Sequence, residues 1–128
     1  MKKTILLTFF MLVFGVVFAQ KGAGIVFDTM SHDFGTFSES KKTVSTTFTF
    51  KNTGKAPLVI NRVVASCGCT TPEWSKEPIA PGKSGYVKAT YNASGRPGAF
   101  NKTITVFTNT SEGNISLNIK GIVQPVKN

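Results

Sequence analysis

Two sulfurs one residue apart are the most reactive groups that this sequence offers. They lie in Ser66-Cys67-Gly68-Cys69-Thr70, and the chain holds no other cysteine. Three chemistries fit the pair. A local disulfide would shape the stretch that leads to Trp74. An exchangeable disulfide would pass oxidising equivalents to other thiols. Two free thiolates would hold a soft ion such as Cu(I). Geometry restricts the bridge, because residues two apart on an extended strand are about 6.6 Å apart, beyond the usual ~5.5–6 Å between bridged α-carbons. Gly68 permits the tighter bend that a bridge needs. Closing roughly three residues contributes only about 1.6 kcal/mol by chain entropy, against ~3 for fifteen residues, so the bridge would be a weak staple.

Other ligands and catalytic groups are scarce. His32 is the single histidine, and Met30 is the one methionine beyond the first nineteen residues. Met30 and His32 with two thiolates would suit Cu(I), yet both stand about 35 positions from the cysteines, and no second pair completes a zinc site. Cys67 and Cys69 are therefore only weak metal candidates, and no cofactor is expected. A serine-histidine-aspartate set could draw only on His32 with Asp28 or Asp33, and no nucleophile-elbow motif is present. Glu39, Glu73, Glu77 and Glu112 stand singly. The expectation is a protein without catalysis. Trp74, in the Pro- and charge-rich stretch Thr70–Pro78, is read as a loop residue and the candidate binding anchor, with packing over the end of a core as the alternative.

The elements that must position these residues are written in a two-residue period. From residue 20 onward the chain has fourteen Thr and two Leu (Leu58 and Leu117), a composition of the pleated surface and not of helices. In Thr43–Lys51, the residues Val44, Thr46, Phe48 and Phe50 share one face and Ser45, Thr47, Thr49 and Lys51 the other. Val87, Ala89 and Tyr91 alternate with Lys88 and Thr90. Ile104 and Val106 alternate with Thr103 and Thr105, and Ile115, Leu117 and Ile119 with Ser116, Asn118 and Lys120. The segments 24–28, 32–37 and 58–66 supply three further strands. Turns are read at Asn52-Thr53-Gly54-Lys55 (a hairpin-type connection), 72–82, 92–98 and 109–114. About seven short strands predict an antiparallel β-sandwich of the immunoglobulin type, with a small closed barrel as the rival.

Residues 1–19 read as a cleaved secretory signal. Lys2 and Lys3 precede an apolar run from Ile5 to Phe18, and Ala19 ends it. About 14 apolar residues make a helix of roughly 21 Å, short of a ~30 Å hydrocarbon core, so no membrane span is expected after cleavage. Residues 20–128 are then one domain. The whole chain has 128 residues, with fifteen Lys and Arg against six Asp and Glu, a formal +9. The basic residues are spread singly apart from Lys41-Lys42 and the leader pair. That is a solvated face, and with export it excludes nucleic acid as partner; weak attraction to anionic surfaces is the functional alternative.

A family resemblance covers essentially the whole mature chain. Asp33-Phe34-Gly35-Thr36, the run from Thr46 to Ile60, Ser66-Cys67-Gly68-Cys69-Thr70 and Ile79-Ala80-Pro81-Gly82 resemble the bacterial family called domain of unknown function 1573. That family is similar to the immunoglobulin-like modules of the major sperm protein and Hydin type. The resemblance implies a binding or scaffolding unit and not an enzyme. Together with the leader it implies a module in the periplasm or outside a Gram-negative bacterium. The expected partner is an envelope protein or glycan, engaged through an edge strand or through the Cys67–Glu77 stretch. Thiol redox or Cu(I) binding through Cys67-Gly68-Cys69 is the alternative.

Overall fold

The structure is a computed structural model that describes residues 22–127; the expected leader lies outside the described residues. Eight strands occur in chain order: β1 (Val26–Phe27), β2 (Ser31–Ser38), β3 (Thr43–Lys51), β4 (Ile60–Ala65), β5 (Thr70–Trp74), β6 (Ser84–Asn92), β7 (Gly98–Thr108) and β8 (Asn114–Gln124). One 3-10 turn, Glu39–Lys41, joins β2 to β3. The strands form two four-stranded sheets, ordered β1-β3-β6-β5 and β2-β8-β7-β4. The expected sandwich is present, with two refinements. There are eight strands, and β2 runs parallel to β8 while every other pair is antiparallel.

Alternation decides which side chains meet between the sheets. Phe48 and Phe50 of β3, Val87, Ala89 and Tyr91 of β6, Ile104 and Val106 of β7, and Leu117 and Ile119 of β8 are all buried. These are the faces that the sequence period marks as apolar. Full burial of each large side chain is worth roughly 1.5–3 kcal/mol relative to exposure. Tyr91 stacks on Phe100 across the gap, with ring centroids 3.8 Å apart. Phe100 in turn lies 6.2 Å from both Phe34 and Phe37 of β2.

Two connections and one strand interior depart from a simple meander. Asn52-Thr53-Gly54-Lys55 is not a hairpin, because β3 and β4 belong to different sheets. Instead the Asn52 side chain is fully buried and anchors the crossover. Its Oδ1 accepts from the N–H groups of Gly24 and Gly54, and its Nδ2 donates to the carbonyls of Ala56 and Ile79. The stretch 72–82 is not wholly a turn, since β5 runs through Pro72 to Trp74 before Pro81-Gly82 forms the expected turn. There Gly82 takes φ +78° and the Lys83 N–H donates to Ala80 O at 3.0 Å, as Pro followed by a left-handed Gly requires. In β2, Gly35 at φ +68° marks a bulge that shifts the pairing with β8 between Asp33 and Thr36.

Candidate functional site: the disulfide turn and the sheet edges

Cys67 and Cys69 are bridged, with α-carbons 5.2 Å apart. That is shorter than the extended-strand spacing, so the chain bends at Gly68 as a bridge requires. The Thr70 N–H closes the bend onto Cys67 O at 3.3 Å, and the Asn92 N–H donates to Cys69 O at 2.8 Å. The turn carries the chain from β4, an edge of one sheet, to β5, an edge of the other. Cys69 is buried and Cys67 half-buried. Thr70 Oγ1 lies 3.8 Å and 3.9 Å from the two sulfurs. A weak staple at a crossover fixes the shape of the turn more than the stability of the fold. Replacing both cysteines by serine is expected to lower the unfolding free energy by about 1.6 kcal/mol through lost chain constraint, plus the cost of a serine hydroxyl at the buried Cys69 position, read from urea midpoints of the two proteins at equal slope.

His32 and Met30 are not brought to this turn. His32 lies on β2, which with β4 makes the two opposite edges of one sheet. Three strand spacings of about 4.8 Å, roughly 14 Å, separate those edges. His32 instead meets the Phe34 ring, with centroids 4.6 Å apart, and the Met30 carbonyl accepts from the Asn118 N–H at 2.9 Å. Bridged sulfurs offer no thiolate. Among the described residues no group of three or more His, Cys, Asp or Glu side chains is placed to hold a metal ion.

Trp74 ends an edge strand and is not a free loop residue. Thr70, Pro72 and Trp74 are opposite Tyr91, Ala89 and Val87, all of them buried, so their side chains turn towards the interior. Trp74 packs half-buried against the core, and the Lys76 ammonium sits 3.0 Å above its ring centroid, a cation–π contact. This is the geometry of a rim cover.

Main-chain direction separates two kinds of edge. Asn92 donates to Cys69 O and Ser75 donates to Tyr86 O, so odd residues of β5 pair with β6 and even ones point outward. Thr70 spends its N–H on Cys67, and Pro72 has none. The β5 edge is therefore blunted, with Pro where an outward donor would stand. On the other side of the same sheet, Asn52 donates to Lys83 O and Ala93 donates to Lys42 O. Even residues of β3 therefore pair with β6, and odd ones point away from it. β1 covers only Lys51 and Phe50, and the Asp28 N–H reaches Thr49 O. Among the described residues no strand lies beside Thr43, Ser45 and Thr47. Sequence period marked their side chains as outward but carried no signal that their main chain is unpaired. A cleft of about 550 Å³ at the β2 bulge, around Asp33, Asn101, Lys120 and Ile122, was equally invisible in the sequence.

Two four-stranded sheets packed face to face define the chain as an all-β sandwich module. The chain belongs to the family described as protein of unknown function (DUF1573), whose model matches residues 25–123. No curated protein matches it. Among solved structures it is similar to a protein of unknown function from Porphyromonas gingivalis W83, at TM-score 0.69 and 17% identity over 85% of this chain and 50% of that one. The chain thus spans about half the length of that protein. It is also similar to the secreted serine protease VesC from Vibrio cholerae, at TM-score 0.57 and 14% identity over 81% of this chain and 23% of that one. The YadV chaperone matches at TM-score 0.51 and 17% identity, over 80% and 52%. These likenesses concern the fold.

Proposed function

We propose that this chain is an exported, non-catalytic binding module of the bacterial envelope that holds a partner at a sheet edge. The open main chain of Thr43, Ser45 and Thr47 carries this reading, set against the blunted edge at β5. Export is supported by the leader-like start and by the bridged cysteines, since disulfides persist in oxidising compartments. The Cys67–Glu77 stretch supports the module by holding its rim in shape, with Trp74 turned inward. The test has two arms. Expression of the full chain, followed by cell fractionation and intact mass, is expected to give a protein shortened by the leader and found outside the cytosol. The processed protein, immobilised, is expected to retain an envelope component saturably. An unprocessed cytosolic chain, or no saturable retention, would overturn the reading.

A second reading is thiol exchange, favoured by the unequal burial of the two sulfurs. A partner thiolate would attack the half-buried Cys67 Sγ, the Cys67–Cys69 bond would break, and Cys69 would leave as a thiolate beside the Thr70 hydroxyl; a second partner thiol resolving the mixed disulfide would oxidise the partner and reduce the pair. Resistance of the bridge to low-millimolar dithiothreitol, followed by alkylation and mass, would sink it.

A further inference from the structure

We infer that the open edge of β3 accepts a single extended peptide strand, running antiparallel to β3, apolar on alternate residues and acidic at its C-terminal end. This rests on the binding-module reading above and names the ligand class for it. Each element of the class follows from a different feature.

The requirement for an extended main chain comes from the direction of Thr43, Ser45 and Thr47. Three N–H and three C=O groups recur every second residue on the side away from β6. A strand laid alongside satisfies them all, whereas a helix or a glycan presents no matching two-residue repeat. Antiparallel pairing is the commoner and the more stable arrangement per residue.

The apolar alternation comes from the layer beneath. β2 is the edge of the opposite sheet on this side, since β4 and β5 adjoin each other on the far side. Phe34 and Val44 pack on the core cluster but are only partly buried, and His32 next to Phe34 is likewise half-buried. An incoming strand covers them with every second side chain and leaves the others beside the Thr-rich outer face. Because β2 already occupies the lower layer, the opening is one strand wide. A second sandwich would bring a lower layer of its own into the space of β2, so another copy of this chain fits poorly.

The acidic end comes from charge. Lys41 and Lys42 stand exposed where β3 begins, and Lys42 turns the chain away with φ 64°. The C-terminal end of an antiparallel strand arrives there. At the other end the Asp28 main chain closes the groove on Thr49, which sets the length at roughly five residues, about 17 Å.

The synthetic peptide acetyl-Thr-Val-Thr-Val-Glu tests the inference by titration into isotope-labelled mature protein. Amide shifts are expected at Thr43, Ser45 and Thr47 and in the neighbouring Val44 and Phe34, and not at β5. Ser45→Pro removes an outward donor without touching the β3–β6 ladder and is expected to weaken binding about tenfold. Lys41→Glu with Lys42→Glu, on exposed positions, should weaken it several-fold, and it serves if the proline variant fails to fold. No shifts at millimolar peptide, shifts centred elsewhere, dimerisation through these residues, or equal binding by both variants would overturn the inference. If an envelope component is retained equally by wild type and Ser45→Pro, the ligand class and the β3 edge as its seat both fail, while an exported binding module that uses another surface survives. If neither protein retains anything, both fail.

Discussion

Asn52→Ala is expected to unfold the protein at a temperature lower by about 12 °C or more. The side chain is wholly buried and makes four hydrogen bonds to four separated main-chain groups, at Gly24, Gly54, Ala56 and Ile79. Truncation strands the N–H groups of Gly24 and Gly54 and the carbonyl of Ala56, while the Ile79 carbonyl keeps the Leu58 N–H, and each unmet buried group costs about 1–3 kcal/mol. A net loss of about 3 kcal/mol corresponds to that shift at roughly 4 °C per kcal/mol for a domain of about a hundred residues. The consequence is wider than one turn. Asn52 ties the segment before β1, the β3–β4 crossover and the β5–β6 connection at Ile79 together, so the variant is expected to loosen the same side of the first sheet on which β3 lies open. Thermal unfolding followed by circular dichroism checks the midpoint. A fall of less than about 4 °C would mean that water or a rearranged turn satisfies these groups.

Phe48→Ala is expected to cost about 3–5 kcal/mol, the range for a large side chain removed from a close-packed core. Phe48 is fully buried, and its neighbour Thr47 is exposed on the opposite face of the same strand. Thr47→Ala is therefore expected to change stability by no more than about 0.5 kcal/mol. Urea unfolding of the two variants reads the alternation of β3 directly. Comparable losses at both positions would contradict the assignment of faces on which the whole sandwich rests.

Most of the fold is legible in the residues because one face of each strand must be dry. Val44 to Phe50, Val87 to Tyr91 and Ile115 to Ile119 announce their inward faces by period alone. Sheet membership is not legible in this way. Asn52-Thr53-Gly54-Lys55 has the composition of a hairpin turn, yet its Asn is a buried four-bond anchor between sheets, a role fixed by segments 28 residues before it and 27 after it. Pro72 was misleading for a related reason. Proline argues against a strand when its missing N–H would face a neighbour, but on β5 that position faces outward and the strand continues. The parallel run of β2 beside β8 likewise depends on a crossing that no local pattern encodes.

The candidate site shows the same division. Cys67-Gly68-Cys69 displayed its chemistry in the sequence, and the bend at Gly68 was the condition for its bridge. Trp74 drew notice for its residue type, while its inward turn under Lys76 depended on the register of β5 against β6. The open edge of β3 is a property of the main chain, created by β1 stopping at Phe27 and the chain leaving for the other sheet. Side-chain patterning carries no record of it.

Amide hydrogen exchange across Thr43–Phe48 in the free protein reaches the root of the proposal. Slow exchange at Val44, Thr46 and Phe48 with fast exchange at Thr43, Ser45 and Thr47 is the outcome required of an edge that keeps its donors available. Uniformly slow exchange through all six amides would mean that something already lies against β3, and the account of how this module takes hold of a partner would be wrong.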